Sequence, residues 1–99
     1  MAKFSILTDN LEQCMMCGTH DMIERHHIMN AADRNKSTKY GLIAPLCVYC
    51  HRVGRHAVHN NAKNMNMLKA KAHVAFEKHY PEEDWLKTFG RNYKHLLEG

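Results

Sequence analysis

Four cysteines and nine histidines in 99 residues are the chemistry-bearing groups of this chain. The cysteines form two pairs, Cys14-Met15-Met16-Cys17 and Cys47-Val48-Tyr49-Cys50. Two thiolates at CxxC spacing sit on one tight knuckle, and two knuckles complete a tetrahedron around an ion with metal–sulfur bonds of about 2.3 Å. Gly18 follows the first pair, where a knuckle needs a residue without Cβ clash. Four thiolates leave no open coordination position, so Cys14, Cys17, Cys47 and Cys50 are expected to hold a closed, structural Zn²⁺. A redox CxxC is the competing explanation, and two pairs together argue against it.

The histidines fall into two clusters beside those knuckles. His26-His27 lie on a predicted strand, where adjacent side chains point to opposite faces, so one regular strand cannot bring both to one ion. Directly after the second knuckle comes His51-Arg52-Val53-Gly54-Arg55-His56-Ala57-Val58-His59. On one straight helix His51 and His59 would stand about 12 Å apart, too far to share an ion. Either the helix breaks near Gly54 and the two converge, or His56 and His59 act as an i, i+3 pair. His20, His73, His79 and His95 read as ordinary surface or core residues.

The elements that must position these groups follow from periodicity and composition. Phe4, Ile6 and Leu7 form a short strand or simply pack. Met22–Ile28 and Tyr40–Ala44 read as strands, with a polar loop over Asn30–Lys39 between them. Met65, Leu68, Ala72, Ala75, Phe76 and His79 recur at helical spacing, with the lysines mostly outside that face. Pro81 breaks the pattern, and Glu82, Glu83 and Asp84 suit the first turn of another helix. Trp85, Leu86, Phe89, Tyr93, Leu96 and Leu97 continue an apolar face, with Gly90 as a stop or kink. The expected architecture is α+β, a zinc-stapled core over residues 14–61 followed by a helical part over 62–99, in one domain spanning 1–99.

Composition agrees with a stapled fold. A chain this short buries a thin core and usually needs a metal or disulfides, and here aromatics are 8% and mean hydropathy is −0.56. No run of about 18 apolar residues is present, so no membrane partner is expected. The opening MAKFSILTDN lacks a signal-peptide apolar stretch, so the chain is expected in a reducing cytoplasm, where paired cysteines are metal ligands more often than disulfides. Net charge is +4. Residues 1–50 carry five basic and five acidic side chains, whereas 51–99 carry nine and five, so the excess lies wholly in the second half. That asymmetry suits a polyphosphate partner, or else a solvated helix face.

Three motifs, in order, resemble a known family. Cys14-x-x-Cys17, Glu24-Arg25-His26-His27-Ile28 and Pro45-Leu46-Cys47-x-x-Cys50-His51 are similar to an HNH (ββα-metal, treble-clef-like) endonuclease with an embedded zinc finger. Tyr40-Gly41-Leu42, Val58-His59, Phe76-Glu77-Lys78-His79-Tyr80 and Phe89-Gly90-Arg91-Asn92-Tyr93 resemble small phage and prophage HNH proteins related to a phage recombination-enhancing nuclease. The resemblance covers about residues 14–93. It implies a metal-dependent DNA endonuclease that leaves 5′-phosphate and 3′-hydroxyl ends and works in phage DNA recombination or processing in a bacterial host cell. It implies His27 as general base, and His26, His51 and His59 as ligands of a catalytic divalent ion (Mg, Mn, Ni, Co or Zn). Three imidazoles favour the transition metals over Mg.

Arg52 and Arg55 are then candidates to hold a phosphate. The expected partners are double- or single-stranded DNA and a host recombination protein, with the chain acting as a monomer or homodimer. A non-catalytic zinc-finger module that binds nucleic acid is the alternative, and it has no need of four histidines beside its zinc. One departure stands out. The central Asn of the HNH pattern falls near Leu42, where no Asn is present, which leaves His27 to be oriented by Asn30, Asn35 or a backbone carbonyl.

Overall fold

A computed structural model describes residues 4–29 and 33–93; Asn30, His95, Leu96 and Leu97 lie outside them. The element order is β1 (Ile23–His27), α1 (Arg34–Tyr40), β2 (Ile43–Cys47), a single π-helical turn (Tyr49–Val53), α2 (Ala62–His79) and α3 (Trp85–Phe89). The result is a small α+β fold with a two-stranded sheet in the cysteine-rich part and helices after it. Among the described residues no helix is long and apolar enough to cross a membrane.

The sheet is antiparallel, pairing Ile23 with Cys47, Arg25 with Pro45 and His27 with Ile43. All five β2 residues are buried, as expected of a strand covered on both faces. Pro45 has no N–H to donate, but its carbonyl accepts from Met15 N at 2.9 Å, which fastens the first knuckle to the sheet.

The second strand starts three residues later than the sequence pattern predicts, because Tyr40 ends a helix. Residues 34–39 of the stretch expected to be a loop belong to α1. Its helical signal is hidden because only Ser37 and Tyr40 are buried, three residues apart, while the other positions are polar and outward. Gly41 stops it in the left-handed region at φ 74°. Phe4 packs across Gly41, leaving no room for a β-carbon there. Ile6 donates its N–H to the Gly41 carbonyl at 2.9 Å and, with Leu7, packs on the core. Packing, not strand formation, is therefore the role of that segment.

Asn61 caps α2 by accepting from Asn64 N at 3.1 Å. Leu68, Ala70, Ala72, His73 and Phe76 form its buried face, which is wider than the expected one and excludes the exposed His79. The three acids after Pro81 do not occupy the first turn of α3: Asp84 is its N-cap, accepting from Leu86 N at 2.9 Å, and Glu82 and Glu83 lie outside the helix. An N-cap carboxylate satisfies two helix-end N–H groups at once, which places the helix start one residue after Asp84. Trp85, 2% exposed, stacks on His73 with ring centroids 4.5 Å apart and donates Nε1–H to the Arg91 carbonyl. Tyr40, Phe76, Tyr80 and Phe89 complete an aromatic cluster around it. Leu86 faces out at 55% exposure and is no part of that face.

Candidate metal centres

The two knuckles meet because each is anchored to the sheet: Cys47 is the last residue of β2, and Met15 hydrogen-bonds to Pro45. Each knuckle turns in the same way, with the second cysteine's N–H aimed at the first cysteine's sulfur. Cys17 N reaches Cys14 Sγ at 3.5 Å, and Cys50 N reaches Cys47 Sγ at 3.4 Å. Gly18 follows at φ 81°, donating to the Cys14 carbonyl at 3.0 Å. One sulfur from each of the four cysteines lies within 4.8 Å of all the others, and Cys17 and Cys47 are 3.6 Å apart. Tetrahedral bonds of about 2.3 Å place sulfurs roughly 3.8 Å apart, so the set fits a zinc ion.

Its electrostatics call for a cation. Burial pushes the Cys14 thiol up, but backbone N–H groups of Cys47, Cys17 and Met16 outweigh it and bring it to about 6. Burial and the neighbouring thiols raise Cys50. Four adjacent thiolates repel one another, and a divalent ion removes that repulsion.

The imidazole cluster is built by a chain reversal. The π turn carries His51 and ends at Gly54, whose backbone is extended. The chain then folds back, with Val58 N bonded to Cys50 O at 2.9 Å and His59 N to His51 O at 3.2 Å. Asn60 locks the reversal, donating to the carbonyls of Arg52 and Gly54 at 2.9 and 3.0 Å. A β-carbon at position 54 would strike the Tyr49 carbonyl and ring, so the reversal requires glycine.

His51 Nε2 and His59 Nε2 are consequently 3.0 Å apart. His26, from β1, places its ring 5.0 Å from His51 and 5.2 Å from His59. One nitrogen of each of the three lies within 4.8 Å of the others. Metal–nitrogen bonds of about 2.1 Å set ligand nitrogens roughly 3.0–3.4 Å apart. His26 Nε2 is buried and has no hydrogen-bond partner among the described residues, which is costly unless a cation takes its lone pair. Burial above all, then the neighbouring His51 and His59, holds His26 down to about 3, and burial also lowers His59. Neutral imidazoles are the form that ligates. His56 is exposed and outside the cluster.

Glu24 lies on the same face of β1 as His26, and the sequence reading gave it no role. Its Oε1 accepts from His51 Nδ1 at 2.8 Å, and both its oxygens accept from Arg52, Nε and Nη2 at 3.0 Å each. Those bonds, Arg52 first, hold its carboxyl at about 2. With Nδ1 donating to a carboxylate, the Nε2 lone pair of His51 is left free for an ion. The signal was present in the sequence, since an acid two residues before a candidate ligand shares its strand face.

His27 points to the other face of β1, toward α1, where its Nε2 lies 3.0 Å from Thr38 Oγ1. Burial and the Arg34 guanidinium keep it below its ordinary value. Of the candidate phosphate ligands, Arg52 is engaged by Glu24, and Arg55 is exposed at the start of the reversal. Asn35 is exposed on α1. Leu42, near which the central HNH Asn was expected, is fully buried.

No curated protein and no solved structure matches the chain. Residues 14–55, which hold both knuckles, β1, α1, β2 and the π turn, match the family model of the HNH endonucleases, and this match together with the four-cysteine cluster supports an HNH domain over that span.

Proposed function

We propose that the chain is a metal-dependent DNA endonuclease, with residues 1–99 acting as one nuclease domain. The observation that carries this reading is the convergence of His26, His51 and His59 on one point, with His27 next in the same strand and facing away. A binding module needs the four cysteines but not this second set of donors.

In the proposed division of labour, Cys14, Cys17, Cys47 and Cys50 hold a structural zinc. His26, His51 and His59 hold a second divalent ion, a transition metal in preference to Mg. That ion, when bound, stabilises negative charge at the scissile phosphate and the leaving oxygen. His27 takes a proton from the attacking water as its oxygen bonds to phosphorus, and the bond from phosphorus to the 3′-oxygen breaks, the leaving oxygen taking up a proton from solvent. The products are 5′-phosphate and 3′-hydroxyl ends. Arg55, the outward donors of Arg52, and Arg34 beside His27 supply positive charge for the phosphates. The similarity of the 76–93 tail to small phage HNH proteins supports a role in phage DNA recombination, in the bacterial cytoplasm and beside a host recombination protein.

A plasmid-nicking assay tests the proposal, using zinc-loaded protein with Mg, Mn, Co, Ni or additional Zn. Metal-dependent nicks that DNA ligase reseals are expected, since ligase requires a 5′-phosphate and a 3′-hydroxyl. Absence of nicking on duplex and single-stranded DNA with every ion, alongside salt-dependent DNA binding, would establish the non-catalytic module instead.

A further inference from the structure

The central Asn of the HNH pattern would fall near Leu42, which is buried, and no Asn is there to partner the base. We propose that Thr38 is the positioning residue for His27, holding its ring in the tautomer protonated on Nε2 and so leaving the Nδ1 lone pair free to accept the proton of water. The inference rests on the nuclease reading for its catalytic consequence, but not for its geometry.

Two hydrogen bonds carry it. Thr38 Oγ1 lies 3.0 Å from His27 Nε2 and 3.4 Å from the carbonyl oxygen of Arg34, one turn earlier in α1. A hydroxyl has a single proton, and a carbonyl can only accept, so the two contacts are satisfied together only when the Thr38 proton goes to Arg34. Oγ1 then meets the imidazole with a lone pair, and Nε2 must be the donor. A neutral imidazole carries one proton, which leaves Nδ1 as the basic nitrogen.

The placement of Thr38 is rigid because its neighbour in sequence is bolted to the end of β1. Ser37 is fully buried, accepts from Met29 N at 2.9 Å and donates to Met29 O at 2.5 Å. The Ser37 carbonyl also accepts from Leu42 N at 2.9 Å. Helix α1 is thus tied through Ser37 to the chain just after β1 and to the lead-in of β2. Thr38 cannot drift from the ring without breaking these bonds. A residue on the helix takes over the orienting task that the missing Asn would otherwise have on the loop.

The test uses full-length, zinc-loaded protein with ¹⁵N-labelled histidine, as wild type, Thr38→Val and Thr38→Ser. Valine keeps the shape and β-branching but removes the acceptor, whereas serine retains it. Long-range ¹H–¹⁵N correlation at mildly alkaline pH reads the His27 tautomer directly. Wild type and Thr38→Ser are expected to show Nε2 protonated and Nδ1 bare, and Thr38→Val a mixture. In nicking assays kcat should fall about tenfold in Thr38→Val with KM unchanged, the effect of one neutral hydrogen bond, and Thr38→Ser should restore it. A wild-type ring protonated on Nδ1, or a Thr38→Val protein with unaltered tautomer and kcat, overturns the proposal. If wild type does not nick, the ring spectra still decide whether Thr38 sets the tautomer, and the failure falls on the nuclease reading alone.

Discussion

Removing the carboxylate behind His51 should weaken the imidazole site without touching the four-cysteine site. In Glu24→Ala, His51 loses the 2.8 Å acceptor that fixes its proton on Nδ1 and aims Nε2 at the cluster. Part of the ring population then carries its proton on Nε2, where an ion must displace it, and the ring is freer to rotate. Loss of such a partner typically costs about 10–100-fold in metal affinity, or roughly 1.4–2.7 kcal/mol. Arg52→Ala separates this effect from the loss of an ion pair. It removes the two 3.0 Å bonds from the guanidinium yet leaves the His51 bond in place, so affinity should change by less than about threefold, as for an exposed pair. Glu24→Gln should lie between the two, since its amide oxygen still accepts from Nδ1. The assay is calorimetric titration of Co²⁺ or Ni²⁺ into protein whose cysteine site is already filled with zinc. Wild-type affinity in Glu24→Ala, or an equal loss in Arg52→Ala, would refute the assignment of Glu24 as the group that orients His51.

Four further outcomes are expected. Gly54→Ala drives a β-carbon into the Tyr49 carbonyl, so the reversal carrying His59 must shift, and titration should show at least about tenfold weaker binding at the imidazole site. Cys17→Ser removes one thiolate at an exposed position; loss of stoichiometric zinc and of cooperative unfolding, read by metal analysis and circular dichroism, is predicted. Trp85→Ala empties the site packed by His73, Phe76 and Phe89 and should lower unfolding free energy by about 3–5 kcal/mol in urea melts. His26 takes up a proton near pH 3 when folded but near 6.5 when unfolded. The unfolded chain therefore binds more protons between those values, and stability without the second ion should fall with decreasing pH by up to about 1.4 kcal/mol per unit. Urea melts from pH 6.5 to 5 should show a shallower slope for His26→Leu; an identical slope would contradict the burial argument.

Much of this arrangement was legible before any coordinates. Two CxxC pairs are a local signal whose spacing alone sets a knuckle, and the knuckles form. The break at Gly54 was one of two alternatives for bringing His59 to His51, and the structure adopts it because Asn60 and buried Val58 hold the chain back against the π turn. Helix α1 was missed because only two of its seven residues are buried, too few to impose a period on a polar stretch. With it went Thr38, which touches His27 across eleven positions of sequence that no local pattern links. Arg52 shows the opposite limit. A basic residue beside a metal cluster suggests a phosphate ligand, but whether its charge is already engaged depends on Glu24, a neighbour brought in by the sheet.

The central claim is that His27 activates water beside an ion held by His26, His51 and His59. The most direct test compares plasmid nicking by wild type and His27→Ala at equal, calorimetrically verified occupancy of both metal sites. The account predicts metal-dependent nicking by wild type and a loss of about 100-fold or more in His27→Ala, the usual contribution of a general base, with ion binding intact. Nicking by His27→Ala at the wild-type rate would contradict it.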